Sequence, residues 1–155
     1  MAPFGASRAG LMSVAADDIP DSVASRPDDD QTRNVSSEQG LTIEIKDDWP
    51  SIGVEISELC EDFTKAYLRE MDGTLIEDID IAGLSSNESF TFDDVNLEDG
   101  NKYTITMDAE GSDYTVGRLS SFDYPYTSDF VDIVADQTDS DNEPRGFVKV
   151  GNVGF

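Results

Sequence analysis

Histidine is absent from the 155 residues, and cysteine occurs once, at Cys60. Without histidine the chain lacks the commonest general base and the commonest transition-metal ligand. A single thiol excludes an intrachain disulfide and a thiolate zinc site. Cations are scarce: ten Lys plus Arg stand against thirty-four Asp plus Glu, a net charge of −24, and only four of the cations are lysines. Phosphate backbones and anionic lipid surfaces would be repelled, so no nucleic-acid partner is expected. No run approaches the ~20 apolar residues of a membrane-spanning helix, so no membrane insertion is expected either. The phosphate loops GxxxxGK[ST] and GxGxxG are missing, and a serine nucleophile would have no imidazole to activate it. Two carboxylates suffice to cleave a glycoside, but thirty-four acids bring such pairs together by chance, so we expect no catalytic residue and no enzyme.

What is present is acid of a particular kind. Aspartate outnumbers glutamate 23 to 11, while 37% of the residues are hydrophobic, enough for a packed core. In dilute buffer those two properties conflict. In brine the Debye length falls to about 3 Å at 1 M, and repulsion among surface carboxylates is screened. Low lysine with high aspartate looks like the composition of halophilic proteins, so a salt-requiring fold is expected.

The length suits one domain. Residues 1–39 show little periodicity. Met1 to Ala16 is small and nearly uncharged, with Gly, Ser and Arg8 interrupting the apolar stretch that a signal peptide needs, so secretion by that route is not expected. Asp17 to Gln39, with Pro20, Pro27 and clustered Asp, reads as an extended arm or linker.

From Gly40 the pattern changes. Leu41, Ile43 and Ile45 alternate, as do Ile52, Val54 and Ile56, and each set predicts a strand. Thr64 to Glu70, the Met71-Asp72-Gly73 turn and Thr74 to Ile81 predict a hairpin. Further strands are predicted at Ser89–Phe92, Lys102–Ala109, Tyr114–Leu119 and Phe130–Val134. Short strands about ten residues apart imply an all-β, antiparallel sandwich, immunoglobulin-like or jelly-roll-like, over residues 40–135. An acidic loop and a C-terminal strand follow over 136–155. One segment competes: Ile56, Leu59, Cys60, Phe63 and Tyr67 fall at helical spacing, so a short amphipathic helix between the second and third strands is the lesser alternative. Leu97, Gly100 and Tyr103 have the layout of a tyrosine corner, in which the phenol bonds to backbone a few residues upstream; an ordinary half-buried strand tyrosine is the alternative.

Three groups are candidate contact residues. Phe122, Tyr124 and Tyr126, with Trp49, would suit stacking on sugar rings or anchoring an interface, or would plug one end of the sandwich; the Tyr124-Pro125 bond is a candidate cis peptide. Asp139, Asp141 and Glu143 alternate oxygen ligands as a calcium loop does, but Pro144 and Arg145 replace its continuation; a weak Ca²⁺, Mg²⁺ or Na⁺ site there, or at Asp78 and Asp80, is the most that pattern supports. Phe4, Leu11, Met12, Phe147, Val150 and Phe155 lie in acid-poor ends, which implies that neighbouring subunits cover them; for the C-terminal strand the alternative is pairing within its own domain. Asn34-Val35-Ser36 and Asn87-Glu88-Ser89 match the glycosylation sequon, a common chance tripeptide.

Several ordered segments carry a resemblance. Phe4-Gly5-Ala6-Ser7-Arg8-Ala9-Gly10-Leu11-Met12-Ser13, Ile19-Pro20-Asp21-Ser22, Trp49-Pro50-Ser51-Ile52-Gly53, Asp108-Ala109-Glu110-Gly111-Ser112, Tyr124-Pro125-Tyr126-Thr127-Ser128 and Val150-Gly151-Asn152 are similar to small proteins of haloarchaeal tailed viruses and proviruses. The resemblance implies a virion component made in the host cytoplasm and placed on the particle exterior: a capsid turret or decoration, or a tail fibre. It implies a homo-oligomer in contact with other virion proteins and with a host cell-surface glycan or glycoprotein. It transfers no residue roles.

Overall fold

The computed structural model describes residues 21–152, and every regular element among them is a β-strand. In chain order these are β1 (Val23–Ser25), β2 (Gln31–Val35), β3 (Gln39–Ile45), β4 (Ile52–Ile56), β5 (Lys65–Glu70), β6 (Leu75–Asp80), β7 (Ser89–Phe92), β8 (Lys102–Asp108), β9 (Tyr114–Arg118), β10 (Val131–Asp136) and β11 (Phe147–Gly151). A five-stranded sheet runs β10-β3-β8-β5-β6, a four-stranded sheet β1-β11-β4-β7, and β9-β2 form a two-stranded ribbon. All pairings are antiparallel, as the alternating sequence pattern predicts.

The two sheets close on the side chains that alternation aims inward. Leu41 and Ile43 on β3 lie opposite Ile105 and Tyr103 on β8, and Leu68 on β5 continues the row. Ile52, Val54 and Ile56 of β4, Phe92 of β7 and Phe147 and Val150 of β11 belong to the same buried cluster. Each such side chain, removed from water, contributes about 2 kcal/mol of transfer free energy. Gly40 belongs to the same logic. A Cβ there would strike the backbone carbonyl of Ile105, so only glycine lets β3 and β8 approach at this register.

Three expectations change. The predicted linker is part of the fold from Asp21 onward: Val23 and Ala24 are core residues, β1 pairs with β11, and β2 pairs with β9. A three-residue strand and a strand of polar, exposed residues carry no alternation to detect. The sandwich also does not stop at Ala135, because β11 sits between β1 and β4 inside the second sheet. The competing helix does not form. After Ser57 the chain turns, Asp62 adopts a left-handed φ of 67°, Glu61 bridges to Thr115, and Tyr67 lies on β5. The apparent helical period came from a loop whose Cys60 and Phe63 are buried in the core.

Candidate functional site

Between β9 and β10 the chain runs beside the outer edge of β10. Tyr126 and Ile133 exchange two backbone hydrogen bonds, at 2.9 and 2.8 Å. Alternation then points Phe122, Tyr124 and Tyr126 to one side, where they are half-buried, while Asp123, Pro125 and Thr127 are exposed. The rings form a ladder: Phe122 to Tyr124 centroids are 5.2 Å apart, and Tyr124 to Tyr126 centroids are 5.9 Å apart and edge-on. The Tyr124-Pro125 bond is cis. The polar ends of the rings are committed within the chain. Tyr124 Oη donates to the Asn142 carbonyl at 2.9 Å, and Tyr126 Oη accepts the Asp123 N–H at 2.8 Å. Burial pushes the Tyr124 phenol well above its ordinary pKa. This ladder works first as a side wall that covers the β10 edge.

Trp49 does not join the ladder. Its ring packs edge-on against Phe130, with centroids 6.3 Å apart, and the residue is 40% exposed. It is also rigidly presented: Trp49 N–H donates to the Leu97 carbonyl at 3.1 Å, and Leu97 N–H returns to the Trp49 carbonyl at 2.9 Å. One residue on, the Glu98 N–H donates to Tyr103 Oη at 3.1 Å. The phenol thus ties β8 to backbone five residues upstream, the bond expected of a tyrosine corner. Asp48 Oδ1 accepts the Asp99 N–H at 2.7 Å, which fixes a carboxylate on the neighbouring residue. Asp48, Trp49, Pro50, Asn96, Leu97 and Glu98 line a shallow cleft of about 340 Å³.

The calcium-like loop comes apart in three dimensions. Glu143 is turned onto two guanidinium groups, with Arg118 Nη1 at 2.6 Å and Arg145 Nη2 at 3.4 Å. Asp139 faces Lys102 Nζ at 3.4 Å, and Asp141 is exposed. The turn is instead organised by Asp136, whose Oδ1 accepts from Thr138 N–H, Thr138 Oγ1 and Ser140 N–H. Asp139, Asp141 and Glu143 therefore do not converge, and among the described residues no group of three acids or cysteine is arranged to hold a metal. Asp78, likewise, lies 3.9 Å from Lys65 Nζ, and Asp80 Oδ1 caps the Ala82 N–H.

A buried polar cluster went unseen in the sequence. Arg26 Nη1 bonds Asp29 Oδ1 at 2.7 Å with both side chains shielded from solvent. Burial raises the Asp29 pKa from its ordinary value, against the lowering pull of Arg26. Gly117 lies so close to the Asp29 side chain that no Cβ fits. Cys60 lies in the same region, accepting Gly117 N–H at 3.3 Å on Sγ, and burial pushes its thiol up to about 12. At neutral pH that thiol is protonated and inert. Arg26, Pro27, Asp28, Asp29 and Asp30 look in sequence like ordinary charged linker, so no residue-level signal distinguished the two that are buried.

The expected assembly residues also separate. Phe147 and Val150 are completely buried in this chain's own core, so the C-terminal strand lost its acid to packing rather than to a neighbouring subunit. Phe4, Leu11, Met12 and Phe155 lie outside the described residues. Asn34 is exposed on β2, and Asn87 occupies a left-handed turn at φ 69°. Compared with known proteins, the chain matches no family model, no curated protein and no solved structure.

Proposed function

We propose that this chain is a non-catalytic structural protein on the exterior of a haloarchaeal tailed virus, a capsid turret or decoration or a tail fibre, working as a homo-oligomer alongside other virion proteins. The observation that carries the reading is how the charge is distributed. Among the described acids only Asp29 and Asp136 are buried, one held by Arg26 and the other by its own turn. The remaining carboxylates coat a closed antiparallel sandwich. Such a shell suits a part that stands in brine outside the cell, where hydrated cations screen it. Edge strand β6 carries Glu77, Asp78 and Asp80, which oppose unprogrammed edge-to-edge stacking, a hazard for any part displayed in many copies. Antibody raised against the folded protein and applied to intact particles in brine is expected to decorate their surface. Absence of the chain from purified particles would overturn the proposal.

A second reading, contact with a host glycan or glycoprotein, is favoured by Trp49. Trp49 is one of three large hydrophobic residues among the described ones that stand exposed, and its backbone is held by two hydrogen bonds to Leu97, so an aromatic surface is presented to solvent in a fixed place.

A further inference from the structure

Deepening the receptor-contact reading, we infer that the cleft at Trp49 is a binding site for a neutral pyranose sugar, and that the Phe122–Tyr126 ladder is not part of it. The cleft is lined by Trp49, which is 40% exposed, and by the polar residues Asp48, Glu98 and Asn96. Asp48 and Glu98 accept hydrogen bonds only, each with one oxygen already accepting from within the chain, Asp48 from the Asp99 N–H and Glu98 from the Asn101 amide, and the Asn96 amide both accepts and donates. The complementary ligand has an apolar face and several donors around its edge, which is how a pyranose presents its C–H face and its hydroxyls. An anionic sugar would replace a donor hydroxyl by a carboxylate, which has no hydrogen to offer the acceptor-only Asp48 and Glu98. A quaternary ammonium would also satisfy ring and carboxylates, but charge attraction is mostly screened in molar salt, whereas short hydroxyl-to-carboxylate hydrogen bonds retain more of their strength. The site is prebuilt: the Trp49–Leu97 backbone bridge, the Phe130 ring and the Tyr103–Glu98 bond hold its walls before any ligand arrives. The ladder lacks an equally open ring, since Phe122, Tyr124 and Tyr126 are all half-buried and lean on one another.

Trp49 is the chain's only tryptophan, so its fluorescence reports the site directly. The full chain in molar KCl is titrated with methyl β-glucopyranoside, methyl β-galactopyranoside, methyl α-mannopyranoside and N-acetylglucosamine, and, as contrasting ligands, with glucuronate and tetramethylammonium. A saturable shift with at least one neutral sugar, at about 1 mM, is expected, with affinity reduced about tenfold in Asp48→Asn and in Glu98→Gln and unchanged in Phe122→Ala. Glucuronate is expected to give no saturable change. Failure of every neutral sugar to saturate the signal overturns the inference, as does a response to tetramethylammonium alone. Loss of sugar binding in Phe122→Ala with full binding in Glu98→Gln would move the site to the ladder, overturning this assignment while leaving receptor contact standing. Particle labelling by antibody is independent of all these outcomes, so the virion reading fails or survives separately.

Discussion

Arg26 and Asp29, three residues apart, form an ion pair at 2.7 Å from which solvent is excluded on both sides. It ties the segment after β1 to the interior beside Ser57 and Gly117. Among the described residues Arg26 Nε and Nη2 and Asp29 Oδ2 have no partner, so each half depends largely on the other for its compensation. Removing one member strands the other. Arg26→Met is expected to destabilise the fold by about 3–5 kcal/mol, measured by denaturant unfolding at fixed high salt, because it leaves a carboxylate buried alone. A loss below about 1 kcal/mol would show that the site is hydrated and open.

The same pair sets a pH dependence. The folded-state pKa of Asp29 is raised above 3.8, so the folded protein binds this proton more readily than the unfolded chain. Stability contributed by Asp29 is therefore present below 3.8, is lost as pH rises through the raised value, and returns on acidification. Asp30 and Asp72 are shifted downward by hydrogen bonds from Ser120 and Thr74, and their opposite effect falls below 3.8. Melting midpoints at constant salt are expected to rise as the solution is acidified from neutrality toward 3.8, with a shallower rise in Asp29→Asn. A falling midpoint over that range would contradict the assignment.

Phe147 is the clearest point at which packing and assembly make different predictions. As a core residue touching Phe90 at 6.0 Å, its truncation to alanine is expected to cost about 3–5 kcal/mol in dilute protein, independent of concentration. A loss that disappears on dilution would return Phe147 to an interface.

Tyr103→Phe removes the hydrogen bond from Glu98 N–H while keeping the ring in place. Stability is expected to fall by about 1 kcal/mol, a shift of several degrees in midpoint, since the freed N–H is close enough to the surface to find water. Trp49 emission is expected to shift to the red as the bridge beneath it loosens.

Much of this fold was legible because most of its strands alternate. β3, β4, β5, β7 and β8 sit close to their predicted positions, since apolar side chains recur at every second residue along them, even in β3 and β4, where both faces are largely covered. What escaped was structure without that contrast. β1 is three residues long, β2 is exposed almost throughout, and β11 is buried so thoroughly that its lack of acid looked like an interface. Residues 56–67 misled in the other direction, because a loop plugging the core imitated a helical stripe. The candidate site was half legible. Composition identified the aromatic residues, but only the three-dimensional arrangement separates Trp49, standing open in its cleft, from Phe122, Tyr124 and Tyr126, leaning on β10.

Thermal unfolding of the full chain in about 0.1 M and about 3 M KCl tests the central claim, that a shell of carboxylates around an ordinary apolar core makes this a protein of brine. The midpoint is expected to be higher by about 10 °C or more at the higher concentration, with loosening or unfolding at the lower. The same midpoint in both solutions would contradict it.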